Sequence, residues 1–256
     1  MSSLFEESRT ALTEYRPQNS ASTRDRLAVI AAILFPTLVT WVYFVLLDDA
    51  DPSLQQISYL SGKCLQFGFP VFWVYLFARR KSQQVQNLSS NLWIGCGFGL
   101  VVTATAWLLF RFWLRPSGLF DSAATEIEAK VIGVGVTAVW QYVLLALFYA
   151  LGHSFLEEYY WRWFVFAELQ RFMSGPRAIV ISSLGFALHH VIVLAHYFGW
   201  MSWLTWFFTL SVAVGGAVWA WLYQRSGSLL PSWLSHLLID AGIFLIGYQL
   251  ISAFHS

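Results

Sequence analysis

The chain has 256 residues, of which 57% are hydrophobic, 18% aromatic and 11% charged. Soluble domains carry about 25% charged residues, so this chain has too little polar surface to cover a water-soluble globule of its size. The same figures exclude a disordered chain and a disulfide-stapled secreted module. The formal net charge of +1 excludes a strongly basic nucleic-acid binder. Composition therefore predicts an integral membrane protein.

Apolar stretches follow one another along most of the chain. A membrane-spanning helix needs about 20 mostly apolar residues, and seven stretches have that length. They are residues 27–47, 57–78, 92–114, 131–151, 178–197, 202–223 and 231–251. Residues 154–172 predict an eighth, charge-bearing helix, which ends before Gly175 and Pro176. The predicted fold is all-α, a polytopic transmembrane bundle of seven or eight membrane helices.

The polar ends of the chain and its loops indicate organisation and orientation. Residues 1–26 are polar and predict an N-terminal tail, and residues 27–256 predict one transmembrane domain. Cytoplasmic loops carry an excess of Lys and Arg. The loop at Asp48 has no cation, whereas the next loop carries Arg79, Arg80 and Lys81. We therefore expect a cytoplasmic N-terminus, in the plasma (inner) membrane if the protein is bacterial.

The path of the later helices stays open at this point. If residues 154–172 cross the membrane fully, there are eight spans and Arg171 lies outside. If that helix is re-entrant or half-inserted, Arg171, Arg177 and Arg225 all lie inside. The excess of cations on the cytoplasmic side favours the second layout.

Charges inside the apolar stretches are scarce, so each needs a reason. A charge at the centre of a membrane helix costs at least about 2.5 kcal/mol on insertion scales. Between Ala178 and the C-terminus, Asp240 is the only carboxylate residue. His236 precedes it by four residues, so both side chains lie on one helix face. They form either a self-neutralising pair or part of a functional site.

Two further polar clusters lie on apolar helices. In the first, Glu158 and Arg162 have the spacing of a helical ion pair, while Glu157 is turned by about 100° from Glu158 and can point elsewhere. In the second, His190 shares a face with Phe186, and the neighbouring His189 faces elsewhere. A carboxylate and a neutral imidazole can orient and deprotonate a water molecule, and a further His can stabilise an oxyanion. Together these clusters predict a hydrolytic site.

The three clusters, in this order, resemble the CAAX protease and bacteriocin-processing family of glutamate-type intramembrane endopeptidases. The matching patterns are EExxxR at Glu157–Arg162, FxxxH at Phe186–His190 and HxxxN-or-D at His236–Asp240. The resemblance covers roughly residues 150–245, the expected catalytic core. It implies hydrolysis of peptide bonds in membrane-associated protein or peptide substrates.

Residue roles follow from the same resemblance. Glu157 matches the catalytic glutamate and His190 its water-activating partner, because the spacing from Phe186 selects His190 over His189. His236 and Asp240 match the pair that holds the oxyanion. Glu158 and Arg162 match a supporting pair. Asp240 departs from the Asn of many members, since a carboxylate donates a hydrogen bond only when protonated.

The expected chemistry is metal-free, with no cofactor and no nucleic-acid partner. The alternative is zinc held by Glu157, His190, His236 and Asp240, since these side chains are acceptable zinc ligands. His153 lies one turn before Glu157 and either tunes it or marks the membrane interface, which we favour. Two other functions stay open: a non-catalytic membrane scaffold that binds peptides or confers immunity, and a proton-coupled transporter.

Overall fold

The computed structural model describes residues 22–77, 85 and 87–254, which form eight helices and no strand. In chain order the helices are α1 (Thr23–Leu46), α2 (Pro52–Leu76), α3 (Leu88–Leu114), α4 (Asp121–Gly133), α5 (Val139–Leu169), α6 (Gly175–Phe198), α7 (Trp203–Ser226) and α8 (Leu230–Leu250). By length and composition, α1, α3 and α5 to α8 are able to cross a membrane. The predicted polytopic helical bundle is confirmed.

The prediction of separate helices at residues 131–151 and 154–172 is wrong. Residues Val139–Leu169 form one continuous helix of 31 residues, α5. The break lies earlier, between α4 and α5, where Gly135 has a positive φ of 85°, a conformation that glycine adopts without steric cost. Inside α5 the backbone widens into π-helix at Phe148–His153 and Tyr159–Phe166. These two segments flank Glu157, and π-bulges occur frequently at functional sites.

The ends of α1 and α5 meet. Arg171, just after α5, lies 3.5 Å from Asp25 in the first turn of α1. Arg171 therefore lies at the end of the bundle where α1 begins, the end at which the second layout puts it, but α5 is a full-length helix and not the re-entrant or half-inserted one of that layout. The side of the membrane on which this end lies stays a prediction. The cations at residues 79–81 and tail residues 1–21 lie outside the described residues.

Helix α1 begins within the predicted tail because its first turn is capped. The Ser22 hydroxyl accepts a hydrogen bond from the Asp25 backbone N–H, and the Asp25 side chain accepts one from the Ser22 N–H. This reciprocal arrangement satisfies two backbone donors that the helix itself leaves unpaired. Residues 23–26 are therefore helical.

Helix α5 lies at the centre of the bundle. Trp161, Phe164, Val165 and Phe166 are fully buried, and they pack against residues of α1, α2, α6 and α7. Small residues bring the other helices close together. A Cβ atom on Gly216 of α7 would lie 3.3 Å from the Phe186 ring of α6, and one on Gly99 of α3 would lie 2.8 Å from the Ser235 carbonyl oxygen of α8. This packing surrounds α5 with the helices that carry the polar clusters.

Candidate active site

Two adjacent acids in the middle of α5 form the centre of the candidate site. Glu157 is 3% exposed and Glu158 is fully buried. Successive side chains on a helix diverge by about 100°, and the two carboxylates accordingly have different neighbours. Glu157 lies among three histidines, whereas Glu158 faces one histidine and an arginine.

His236 of α8 lies between the two acids. Its Nδ1 is 2.9 Å from Glu158 Oε1, and its Nε2 is 3.7 Å from Glu157 Oε2 and 3.6 Å from Asp240 Oδ1. Carboxylate oxygens accept hydrogen bonds, so Nδ1–H donates to Glu158. Nε2 is directed at two carboxylates, for which an N–H is the matching donor. We call His236, Glu158, Asp240, Arg162 and Trp219 the α8 flank.

The α8 flank is held by further contacts. Arg162 Nε lies 3.2 Å from Glu158 Oε2, and its Nη2 donates to the Gly216 carbonyl oxygen at 3.2 Å. The Trp219 ring stacks on His236, with centroids 4.0 Å apart and planes 16° from parallel. A buried charge is tolerated when it is paired and hydrogen-bonded. These contacts therefore fix the orientation of the His236 ring.

On the other side of Glu157 lie the two adjacent histidines of α6, which we call the α6 flank. His189 Nε2 is 3.6 Å from Glu157 Oε1, and its ring is parallel to Trp161 at a centroid distance of 6.1 Å. His190 Nδ1 is 2.9 Å from the Phe186 carbonyl oxygen. Since a carbonyl oxygen only accepts, Nδ1 of His190 carries the proton and its Nε2 keeps a lone pair.

The residues predicted from the sequence lie together in the bundle. Glu157 is near His190, with ligand atoms within 4.8 Å, and near His236, which is near Asp240. Three details differ from expectation. His189 does not face elsewhere, because α6 packs against α5 so that both histidines reach Glu157. Glu158 contacts His236 as well as Arg162. Glu158, rather than Asp240, bonds the His236 nitrogen that faces away from Glu157.

Of two further residues near Glu157, one was predicted there only as an alternative and one was not expected. His153 Nδ1 lies 3.9 Å from Glu157 Oε2, the contact that its four-residue spacing from Glu157 indicates. Its location at the membrane interface stays a prediction. Lys63 of α2 was not expected, and its Nζ lies 5.6 Å from the centre of the Phe67 ring, which packs edge-on against His153. A lysine in an apolar stretch is by default a candidate for function, which was the available signal.

Glu157, His189 and His190 could also hold a metal ion. Each offers one ligand atom, and these atoms lie within 4.8 Å of one another. Zinc ligands in a tetrahedral site lie about 3.5 Å apart, and a catalytic zinc has three protein ligands and one open position. The three side chains fit such a site after a small contraction. Compared with the zinc site predicted from the sequence, this set contains His189 in place of His236 and Asp240.

Comparison with known proteins identifies one family. Residues 138–242 match the model of the type II CAAX prenyl endopeptidase Rce1-like family. No curated protein and no solved structure matches the chain. The match begins at the N-cap of α5 and ends within α8, so it contains the whole Glu157 cluster and leaves out Lys63. The resemblance inferred from the three motifs is confirmed, and the family is one of CAAX-type membrane proteases.

Proposed function

We propose that this chain, whose residues 138–242 belong to the type II CAAX prenyl endopeptidase Rce1-like family, is an intramembrane endopeptidase that uses a glutamate-activated water. One observation carries the proposal. Glu157 is buried in α5 with an imidazole nitrogen on each side, His189 Nε2 at 3.6 Å and His236 Nε2 at 3.7 Å. A buried carboxylate between imidazoles is suited to proton transfer.

In the first step, a water molecule lies between Glu157 and His190. It donates one hydrogen bond to the Glu157 carboxylate and one to the lone pair on His190 Nε2. His189 donates its Nε2–H to the second oxygen of Glu157 and so holds the carboxylate in place. Glu157 accepts a proton from the water as the water oxygen attacks the carbonyl carbon of the substrate peptide bond.

In the second step, the tetrahedral intermediate collapses. Its oxyanion is stabilised by the Nε2–H of His236, whose ring is fixed by the Glu158 hydrogen bond at 2.9 Å and by the stacked Trp219. Donors that are oriented before the reaction stabilise an oxyanion strongly in a site of low dielectric. Glu157 then gives its proton to the leaving nitrogen, the C–N bond breaks, and Asp240 accepts a hydrogen bond from His236.

The residues described account for this reaction without a metal. Zinc held by Glu157, His189 and His190 would supply a Lewis acid and an activated water. The two cases differ in their response to chelators. Metal-free chemistry predicts that activity of the purified protein survives exhaustive treatment with 1,10-phenanthroline, whereas a zinc enzyme would lose it and regain it with added zinc.

The substrate class follows from the location of the site. Glu157 lies in the middle of a helix that is able to cross a membrane, so the substrate is a membrane-bound peptide or protein that water and the site can reach together in the bilayer. The family description names prenylated CAAX sequences. A quenched fluorescent peptide that ends in a prenylated CAAX sequence is therefore the first probe to use.

The test is hydrolysis by the purified protein in lipid nanodiscs, in water enriched in oxygen-18. We expect cleavage of the peptide with one labelled oxygen in the new carboxylate, detected by mass spectrometry. Glu157→Gln should abolish cleavage. Glu168→Gln is the matched control, because Glu168 is a fully buried acid of the same helix and pairs with Arg171 at the helix end.

Two results would contradict the proposal. Equal cleavage by the wild-type and Glu157→Gln proteins would show that a contaminant or another residue acts. Failure of the wild-type protein to cleave any of a panel of prenylated, acylated and unmodified membrane peptides, while it binds one of them, would favour the peptide-binding scaffold.

A further inference from the structure

Lys63 is the one basic residue that α2 places beside the candidate site. It lies in the middle of α2 (Pro52–Leu76). The Phe67 ring of the same helix contacts both the Lys63 side chain and His153, and it therefore places the ammonium group at the α2 side of the cluster. None of the steps proposed above uses it.

The surroundings of Lys63 hold it without neutralising it. Its Nζ lies 5.5 Å from the centre of the Tyr59 ring and 5.6 Å from that of Phe67, one turn away on either side. Aromatic rings attract a cation but leave its three hydrogen-bond donors available. Among the described residues, no carboxylate lies within 4.0 Å of Nζ, although Arg162 and Arg171 in the same bundle each have one at ion-pair distance.

The neighbouring contacts attach Lys63 firmly to the site. The Phe67 ring packs edge-on against His153, with centroids 6.3 Å apart, and His153 Nδ1 is 3.9 Å from Glu157 Oε2. The Tyr59 ring lies 4.7 Å from Tyr43 of α1. Lys63 is thus placed between packed aromatic rings, one of which contacts the histidine beside the reacting carboxylate.

We infer that Lys63 binds a carboxylate of the substrate close to the scissile peptide bond. An ammonium group without an anionic partner in an apolar helix is costly, and a ligand carboxylate would supply that partner through a charge-assisted hydrogen bond. This inference rests on the proposed function. It makes Lys63 a specificity-determining residue, which selects substrates that present an anion near the scissile bond.

A carboxylate fits this position better than a phosphate. Lys63 is a single cation, and phosphate sites usually combine several donors from Arg, Lys or backbone N–H groups. The carboxylate could be the C-terminal one of the substrate or the side chain of an acidic residue close to it. Three peptides distinguish these sources.

The experiment compares three quenched peptides with the same prenylated CAAX core, each incubated with the wild-type protein in nanodiscs. The first has a neutral last residue and a free carboxylate, the second the same residue as an amide, and the third an acidic last residue as an amide. We expect the first or the third to be cleaved with a kcat/KM about ten- to a hundredfold above the second, the usual effect of a hydrogen bond to a charged group. The peptide with the higher kcat/KM shows whether the C-terminal carboxylate or the acidic side chain is recognised.

The variants test whether Lys63 makes this distinction. Lys63→Met keeps the length and apolar stem of the side chain, and it should lower cleavage of the preferred peptide to the level of the neutral amide, whose own cleavage stays unchanged. Lys63→Arg should restore part of the preference. Arg225→Met is the control, since Arg225 is an exposed cation in the last turn of α7 that likewise lies over an aromatic ring, that of Trp221.

The outcomes separate this inference from the proposed function. If the wild-type protein cleaves all three peptides equally, or if Lys63→Met lowers all three equally, the inference is wrong although the protease assignment stands. If no peptide is cleaved, both fail. Should Lys63→Met not fold, the comparison of the three peptides with the wild-type protein still decides whether a carboxylate is recognised, and Lys63→Gln, which removes the charge and keeps a polar side chain, decides whether the cation is required.

Discussion

The two flanks of Glu157 are built differently. On the α8 flank, both nitrogens of His236 face carboxylates, the ring is stacked on Trp219, and Glu158 is paired with Arg162. On the α6 flank, His190 is bonded only to a carbonyl of its own helix, and His189 Nδ1 is buried without a hydrogen-bond partner among the described residues. The α8 flank thus holds His236 by a side-chain hydrogen bond and a stacked ring, whereas the α6 flank holds His190 by one backbone carbonyl and leaves a nitrogen of His189 unbonded among the described residues.

This difference indicates a division of tasks. Groups that stabilise developing charge work best when they are oriented in advance, which suits the α8 flank to oxyanion stabilisation. A group that takes part in proton transfer needs an unoccupied lone pair directed at the water, which suits His190 on the α6 flank. The predictions below test this division, beginning with the largest expected effect.

Removal of His190 should have the larger effect on the α6 flank. His190→Ala takes away one acceptor of the attacking water, and we expect kcat/KM to fall by about 10²- to 10⁴-fold, the usual contribution of general acid–base catalysis. His189→Ala removes a contact that holds Glu157 in place. We expect its loss of kcat/KM to be about ten- to a hundredfold smaller than the loss in His190→Ala. Steady-state kinetics on the prenylated peptide measures both, and thermal unfolding checks that each variant folds. A larger loss in His189→Ala than in His190→Ala would reverse the roles of the two histidines.

Removal of only one His236 nitrogen should separate orientation from catalysis on the α8 flank. The amide nitrogen of Asn can replace Nδ1 as a donor to Glu158, but nothing replaces Nε2. His236→Asn should therefore keep its unfolding temperature within a few degrees and lose about 10²- to 10³-fold in kcat, the effect of removing one oxyanion donor. His236→Ala should lose stability as well, because it leaves the buried Glu158 oxygen without its donor. If His236→Asn retains wild-type kcat, His236 has only a structural role.

Asp240→Asn should have the smallest effect. An Asn at this position keeps the size of the side chain, its oxygen can accept from His236 Nε2, and its amide adds a donor for the oxyanion. We expect kcat to change by less than about tenfold, in contrast to Asp240→Ala, which removes the acceptor 3.6 Å from His236. A loss in Asp240→Asn as large as in His236→Asn would show that the negative charge itself is required.

Much of the fold could be predicted from the sequence because membrane helices are marked by long apolar stretches. The error at α5 has a physical cause. The predicted stretches 131–151 and 154–172 leave a gap at residues 152–153, but π-helical turns absorb the irregularity and the Ser154 hydroxyl bonds back to the Ala150 carbonyl oxygen. The true break at Gly135 lies between valines in an apolar stretch without proline, so the composition does not mark it.

The residues of the site could be chosen from the sequence because charges are so rare in these helices. Which of these residues contact one another could not be predicted from the sequence. Helical spacing relates Glu158 to Arg162 and His236 to Asp240, but the bond between Glu158 and His236 joins positions 78 apart in the chain. It depends on how α8 packs on α5. The same holds for Lys63, which lies over Phe67, the neighbour of His153, on a helix outside the matched family region.

The central claim is that Glu157 moves the protons of the hydrolytic reaction. It is tested most directly by the single-turnover rate of Glu157→Gln on the prenylated peptide in nanodiscs, compared with the wild-type protein and Glu168→Gln. The account predicts that the single-turnover rate of Glu157→Gln falls by about 10²- to 10⁴-fold while its unfolding temperature stays unchanged. Glu168→Gln should cleave at the wild-type rate. A folded Glu157→Gln protein that cleaves the peptide within tenfold of the wild-type rate would contradict it.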